Sequence, residues 1–194
     1  MSASTWNRGT RWLHGGLAVT VTLQLLLSLV MQAPGDGPPP AGLPALLFEA
    51  HEFVGLTALA IVLLHWGWSL FAADGAALRH LFPLSRDARA EVVAELRALL
   101  RGRLPEGGPR GGLPGLVHGL GLLAVTGAAV SGAVIFALLP EAAPPPAPAH
   151  TVMEAHSFIA FFVWSYWAGH VALAVIHQFA GHGTLRDMFD LSRR

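Results

Sequence analysis

Residues 154–180 read EAHSFIAFFVWSYWAGHVALAVIHQFA. After Glu154 the stretch has no acidic residue and no arginine. It is long enough to cross a bilayer as a helix, which needs about 20 mainly apolar residues. His156 and His170 stand 14 positions apart in it. At about 100° per residue, 14 steps return to within about 40° of the same helix face. At 1.5 Å per residue the two lie about 21 Å apart along the axis. One face therefore presents an imidazole near each membrane surface. An ionisable side chain at membrane depth is costly and marks function by default. The competing account is two interfacial histidines, each wetted at its own end, and the rest of the chain decides between them.

The 194 residues are 53% hydrophobic and 12% charged, against roughly 25% charged residues in a soluble domain. Net formal charge is zero, so bulk electrostatics names no partner, and no nucleic acid is expected as one. There is no cysteine. That excludes disulfides, thiolate-held iron–sulfur clusters and covalently attached c-type haem. The N-terminus lacks a short apolar run with a small-residue cleavage site, so the first span is expected to be retained.

Four apolar spans are expected, making an all-α four-helix membrane bundle in a single domain over residues 1–194. They cover about residues 12–31, 46–71, 116–139 and 155–179. The first holds His14 in its opening turn, with Gln24 and Ser28 deeper, where small polar groups suit a face between helices. The second holds His51 near its start and His65 near its end, again 14 apart. The third carries Gly119, Gly121, Gly127 and Gly132, which let neighbouring backbones approach closely. Between the second and third spans lies a polar connection, 74–114. Within it Asp87–Arg101 reads as an amphipathic surface helix, with Val92, Val93, Leu96, Leu99 and Leu100 on the apolar side and Arg89, Glu91, Glu95 and Arg97 on the wet side.

Arginine placement orients the spans. Arg8 and Arg11 precede the first. Arg79, Arg86, Arg89, Arg97, Arg101, Arg103 and Arg110 lie in the 74–114 connection, and Arg186, Arg193 and Arg194 in the tail. The positive-inside rule places both termini and the long connection in the cytoplasm. The two Pro-rich connections face out and carry acid without base, at Asp36, Glu49, Glu52, Glu141 and Glu154.

This topology sorts the histidines by depth. His51 and His156 fall near the outer face, and His14 and His170 near the inner one. Two axial imidazoles on one iron make a six-coordinate haem, which favours electron transfer over gas chemistry. With no cysteine available, such haems would be b-type. His65 also lies near the inner face, and spacing alone admits His65 with His170 as the inner pair. His177 suits an interfacial or propionate-contacting role. His118 reads as a wetted helix end that could line a quinone pocket. His80, His150 and His182 read as loop residues.

TRWLHGGLA (10–18), HEFVG (51–55), LAVTGAAVSG (123–132), EAHSFIA (154–160), GHVALAVIHQF (169–179) and GHGTLRDM (181–188) resemble, in order and spacing, the bacterial cytochrome b561 family. That family is related to the b-type cytochrome subunits of nickel–iron hydrogenases. The resemblance implies two haem b groups, with ligands at His14, His51, His156 and His170. It favours His14 over His65, although His65 stands where the family usually has arginine and Gly15 where it usually has an aromatic residue. Arg11, one turn before His14, would pair with a haem propionate or serve as a topology signal.

The expected function is transmembrane electron transfer between a membrane quinone and a periplasmic redox partner, in an inner-membrane, multi-pass protein. The resemblance implies the quinone link and, in some relatives, superoxide oxidation. A second reading is a haem-bearing membrane-anchor subunit relaying electrons for a peripheral dehydrogenase or hydrogenase. A third is a haem-free, histidine-lined metal transporter, for which the only carboxylates near the spans are Glu49, Glu52 and Glu154, all at the outer edge.

Overall fold

The computed structural model describes residues 6–35, 41–72, 77–104, 111–139 and 145–189. Asp36, Glu141, Arg110, Arg193 and Arg194, used above for orientation, lie outside the described residues. Among those described there are seven helices and no strand: α1 (Arg8–Ser28), α2 (Leu43–Phe71), α3 (Leu78–Leu81), α4 (Arg86–Leu100), α5 (Gly112–Leu138), α6 (Ala147–Phe179) and α7 (Thr184–Phe189).

Three helices, α2, α5 and α6, are long and apolar enough to cross a membrane. At 1.5 Å per residue their 29, 27 and 33 residues span about 44, 41 and 50 Å, beyond the ~30 Å hydrocarbon core of a bilayer. Large apolar side chains stand open along them, among them Phe53, Leu63, Leu64, Phe158 and Phe161. Apolar surface on that scale calls for lipid, and the chain is a membrane protein. The first expected span forms α1, 21 residues long. It falls outside the three because Arg8, Arg11, His14 and Gln24 dilute its apolar run.

Several boundaries differ from the sequence expectation, and proline explains two of them. α2 starts at Leu43 and α6 at Ala147, three and eight residues before their expected starts, despite Pro44 and Pro148. Backbone N–H groups in a helix's first turn have no intrahelical acceptor, so proline is tolerated there. His150 is consequently helical, and His80 lies in α3. The amphipathic segment forms α4. Its N-cap is Ser85, whose side chain accepts from the Ala88 N–H at 3.1 Å. Glu95 is not on the wet side as expected. Its Oε2 accepts from the Leu113 N–H at 2.6 Å and so caps the start of α5, where a carboxylate is favoured.

The chain divides into two compact units, and each of the four long helices contributes a segment to both. Unit 1 comprises 1–15, 64–123 and 166–194, and unit 2 comprises 16–63 and 124–165. In unit 1 the Trp68 Nε1–H donates to Thr10 Oγ1 at 3.0 Å, joining α2 to α1. Trp66 stacks on Phe82, centroids 6.2 Å apart and planes 7° from parallel. Gly119 brings α5 onto the Leu81 carbonyl, and Gly121 brings it onto the Tyr166 ring of α6. In unit 2 Gly16 lets α1 approach Ile61 of α2, and Gly127 lets α5 approach Ile159 of α6. Leu25, Ala58, Val62, Val125 and Val163 form its buried interior. Small residues are what helices use to pack closely in a lipid setting.

A Cβ on Gly119 would stand 2.5 Å from the Leu81 carbonyl oxygen, and backbone yields less readily than a side chain. Gly119→Ala is expected to cost about 1–3 kcal/mol. Gly67 of α2 has open space around it, so Gly67→Ala is expected to be neutral or to gain up to about 1 kcal/mol from helix propensity. Thermal unfolding in detergent checks the pair. Equal midpoint changes in the two variants would contradict the close approach at Gly119.

Candidate functional site

Eight of the ten histidines lie on the four long helices: His14, His51, His65, His118, His150, His156, His170 and His177. The structure brings four of them together in two pairs. In unit 2 the rings of His51 and His156 have centroids 6.4 Å apart with planes at 83°. In unit 1 those of His14 and His170 are 6.1 Å apart with planes at 54°. Each pair joins two different helices.

Polar contacts hold the unit 2 pair through the backbone of His51 and the ring of His156. Gln24 Nε2 donates to the His51 carbonyl oxygen at 2.8 Å. Gly55, one turn after His51, leaves room for that amide: a Cβ there would collide with Gln24 Nε2. Ser131 Oγ lies 2.9 Å from His156 Nδ1 and donates to the Gly127 carbonyl at 2.8 Å. Both histidines line a cavity of about 500 Å³, within the roughly 300–1,000 Å³ of ligand pockets. Its other walls include Leu25, Ala58, Val125, Phe136, Phe161 and Val163, with Gln24, Ser28 and Glu52 among the few polar groups.

The unit 1 pair is packed by rings. Tyr166, one turn before His170, stacks on it with centroids 5.3 Å apart and planes 19° from parallel. Phe189 of α7 meets His14 edge-on at 5.7 Å. His118 meets His170 edge-on at 5.1 Å. Its Nδ1–H donates to the Pro114 carbonyl at 2.7 Å, which puts the proton on Nδ1 and leaves Nε2 bare. The expected wetted helix end is thus a ring packed against the inner pair. Arg11 is 2% exposed, and a guanidinium withdrawn from water needs anionic or hydrogen-bonding company. His65 is buried too, with Ser69 Oγ 3.3 Å from its Nδ1 and donating to its carbonyl at 2.9 Å. His177 is drawn to the tail: its Nδ1 lies 2.7 Å from Nδ1 of His182.

The chain matches the family model of prokaryotic cytochrome b561 over residues 5–190. It belongs to the prokaryotic cytochrome b561 family. No curated protein and no solved structure matches it. The family is one of membrane electron-transfer proteins carrying b-type haem.

The residues present fit that group. A metal-bound imidazole nitrogen stands about 2.0 Å from the metal and about 1.1 Å from its ring centre, so two rings facing one another across one metal have centres roughly 6.2 Å apart. The two pairs, at 6.4 and 6.1 Å, have that spacing, whereas His118 and His170 at 5.1 Å are too close. Among the described residues no group of three or more His, Asp or Glu side chains is placed to hold a bare metal ion. Pairs suit haem, whose iron takes only axial ligands from protein. The Nδ1 atoms of His14 and His51 are buried with no hydrogen bond among the described residues.

Sequence reasoning missed Ser131, Tyr166 and Phe189. Ser131 lay inside the LAVTGAAVSG piece, whose family likeness could have marked it. Tyr166 is four residues before His170, a spacing that puts two side chains on one face. Nothing local marks Phe189.

Gly55→Ala is expected to destabilise the protein by about 1–3 kcal/mol through overpacking on Gln24, and Gln24→Ala by about 0.5–1.5 kcal/mol through the lost hydrogen bond. Combined, they should cost less than their sum, because the shorter side chain vacates the space the new methyl needs. A double-mutant cycle by chemical unfolding reads this. Simple additivity would show that the two residues do not touch.

Proposed function

We propose that this protein is a four-helix, multi-pass cytochrome of the bacterial inner membrane that passes electrons through two haem b groups. It would work between a membrane quinone and a periplasmic redox partner, of which superoxide is one candidate. The observation that carries the reading is the pair of imidazole pairs, each spaced so that its two rings would hold one haem iron. His51 with His156 would hold one haem, and His14 with His170 the other. The arginine distribution supports four spans with both termini and the 74–114 connection in the cytoplasm. The whole chain then acts as one membrane domain, in contact with lipid. The membrane setting supports a lipid-soluble quinone as one partner.

Bound haem b supplies a one-electron carrier whose potential responds to ligands, hydrogen bonds and burial. The chain's own work is placement. α6 offers one imidazole to each pair, and α1 and α2 offer the opposing ones. Gln24 anchors the backbone of His51. Tyr166 and Phe189 shield the rings of His170 and His14 from water. Arg11, buried one turn from His14, is placed to neutralise a propionate.

Two haems per chain are expected. Pyridine-haemochrome assay against protein concentration checks this, in protein made with ample haem. One haem or none per chain would overturn the reading.

His14 is expected to ligate and His65 is not. His14→Ala should lose one of the two components in a spectroscopic redox titration, since bis-imidazole coordination is broken. His65→Ala should keep both, with at most a shifted potential, as outer groups cause. The opposite pattern would move the inner ligand to α2.

A further inference from the structure

Ser131 and Gly132 of α5 meet the ring of His156 on α6 together. The Ser131 hydroxyl has two contacts to its own helix, donating to the Gly127 carbonyl at 2.8 Å, with the Ala128 carbonyl at 3.0 Å. Its single proton is thereby committed to a backbone carbonyl. With that proton on a carbonyl, the third contact, 2.9 Å to His156 Nδ1, is one the hydroxyl oxygen accepts, the arrangement in which the ring proton sits on Nδ1. A neutral imidazole with Nδ1–H keeps its lone pair on Nε2. Gly132 adds the room: a Cβ there would stand 3.3 Å from His156 Cε1. The facing ring has no such arrangement, since Nδ1 of His51 is buried without a hydrogen bond among the described residues.

We propose that Ser131 is a positioning residue for His156, fixing the ring's tautomer and orientation so that Nε2 faces the iron and is made more basic. This rests on the reading of His156 as a haem ligand. Serine on a helix often bonds back to its own carbonyls and does nothing more. Here the back-bond is what turns the oxygen into an acceptor for a ring on a different helix. A ligand whose distal N–H is hydrogen-bonded is a stronger donor to the metal and favours the oxidised iron, holding the potential of that haem down.

The test is a spectroscopic redox titration of the purified, haem-loaded full chain, with low-temperature EPR of each ferric component and haem counting alongside. Ser131→Ala and Ser131→Val should move one of the two midpoint potentials upward and alter one ferric signal. The affinity for that haem should fall about 10–100-fold, as loss of an outer-shell partner typically does. Ser131→Thr, which keeps the hydroxyl and matches valine in shape, should restore the wild-type potential and signal. Both potentials unchanged in the Ala and Val variants, or both moved equally, would overturn the proposal while two haems in the wild type left the cytochrome reading intact. A threonine variant that behaves like valine would overturn it as well, by showing that size and not the hydroxyl matters. A wild-type chain without haem would overturn the underlying reading instead.

Discussion

An imidazole ring placed within an apolar helix must find partners, because neither lipid nor apolar side chains can satisfy its nitrogens. The Pro114 carbonyl at His118 and the Ser131 hydroxyl at His156 answer that requirement for two of the rings. The rings come from different helices and face one another in pairs. Helices can bring rings to that spacing only if their backbones approach closely enough, and glycine supplies the approach. Gly121 makes room for Tyr166, Gly132 for His156 and Gly55 for the amide of Gln24. Pairing at ligand spacing and close helix packing are two sides of one constraint.

Hydrogen bonds between helices then hold what packing allows. In a membrane the hydrophobic effect does not drive helices together, so van der Waals contact and polar links between them carry more of the burden. Three such links between the long helices run from Gln24 of α1 to the backbone of α2, from Trp68 of α2 to Thr10 of α1, and between Ser131 of α5 and His156 of α6. Two of the three end on a histidine that belongs to a pair. The polar residues inside the apolar helices thus serve the site as well as the fold.

Much of this was legible in the sequence, for reasons of period and length. Apolar runs of membrane length mark α2, α5 and α6 without ambiguity. A spacing of 14 brings His156 and His170 to one helix face whatever else the chain does. The starts of α2 and α6 were not legible, since proline in a Pro-rich loop and proline in a helix's first turn look alike. Nor were the surroundings of the rings. Which helix faces which depends on the small residues of α5, and sequence shows that they are small but not what they touch. His118 illustrates the gap: its position at the beginning of a span suggested water, and packing put it against His170. Glu95 is another, a charged residue on an amphipathic helix that proved to cap α5.

The two pairs have different surroundings, and the difference has a physical sense. One has a buried guanidinium, Arg11, on the same helix as its His14. The other lines a mostly apolar cavity and has the Ser131 hydroxyl 2.9 Å from His156 Nδ1. In the proposed reading, a nearby positive charge favours the reduced iron, because reduction removes positive charge from the centre. A hydrogen bond accepted from a ligand's N–H favours the oxidised iron, because it pushes electron density toward the metal. In that reading the first would act at the His14–His170 pair and the second at the His51–His156 pair. Both influences would separate the two potentials in the same sense, and a two-centre wire whose ends differ in electron affinity would favour one direction of flow.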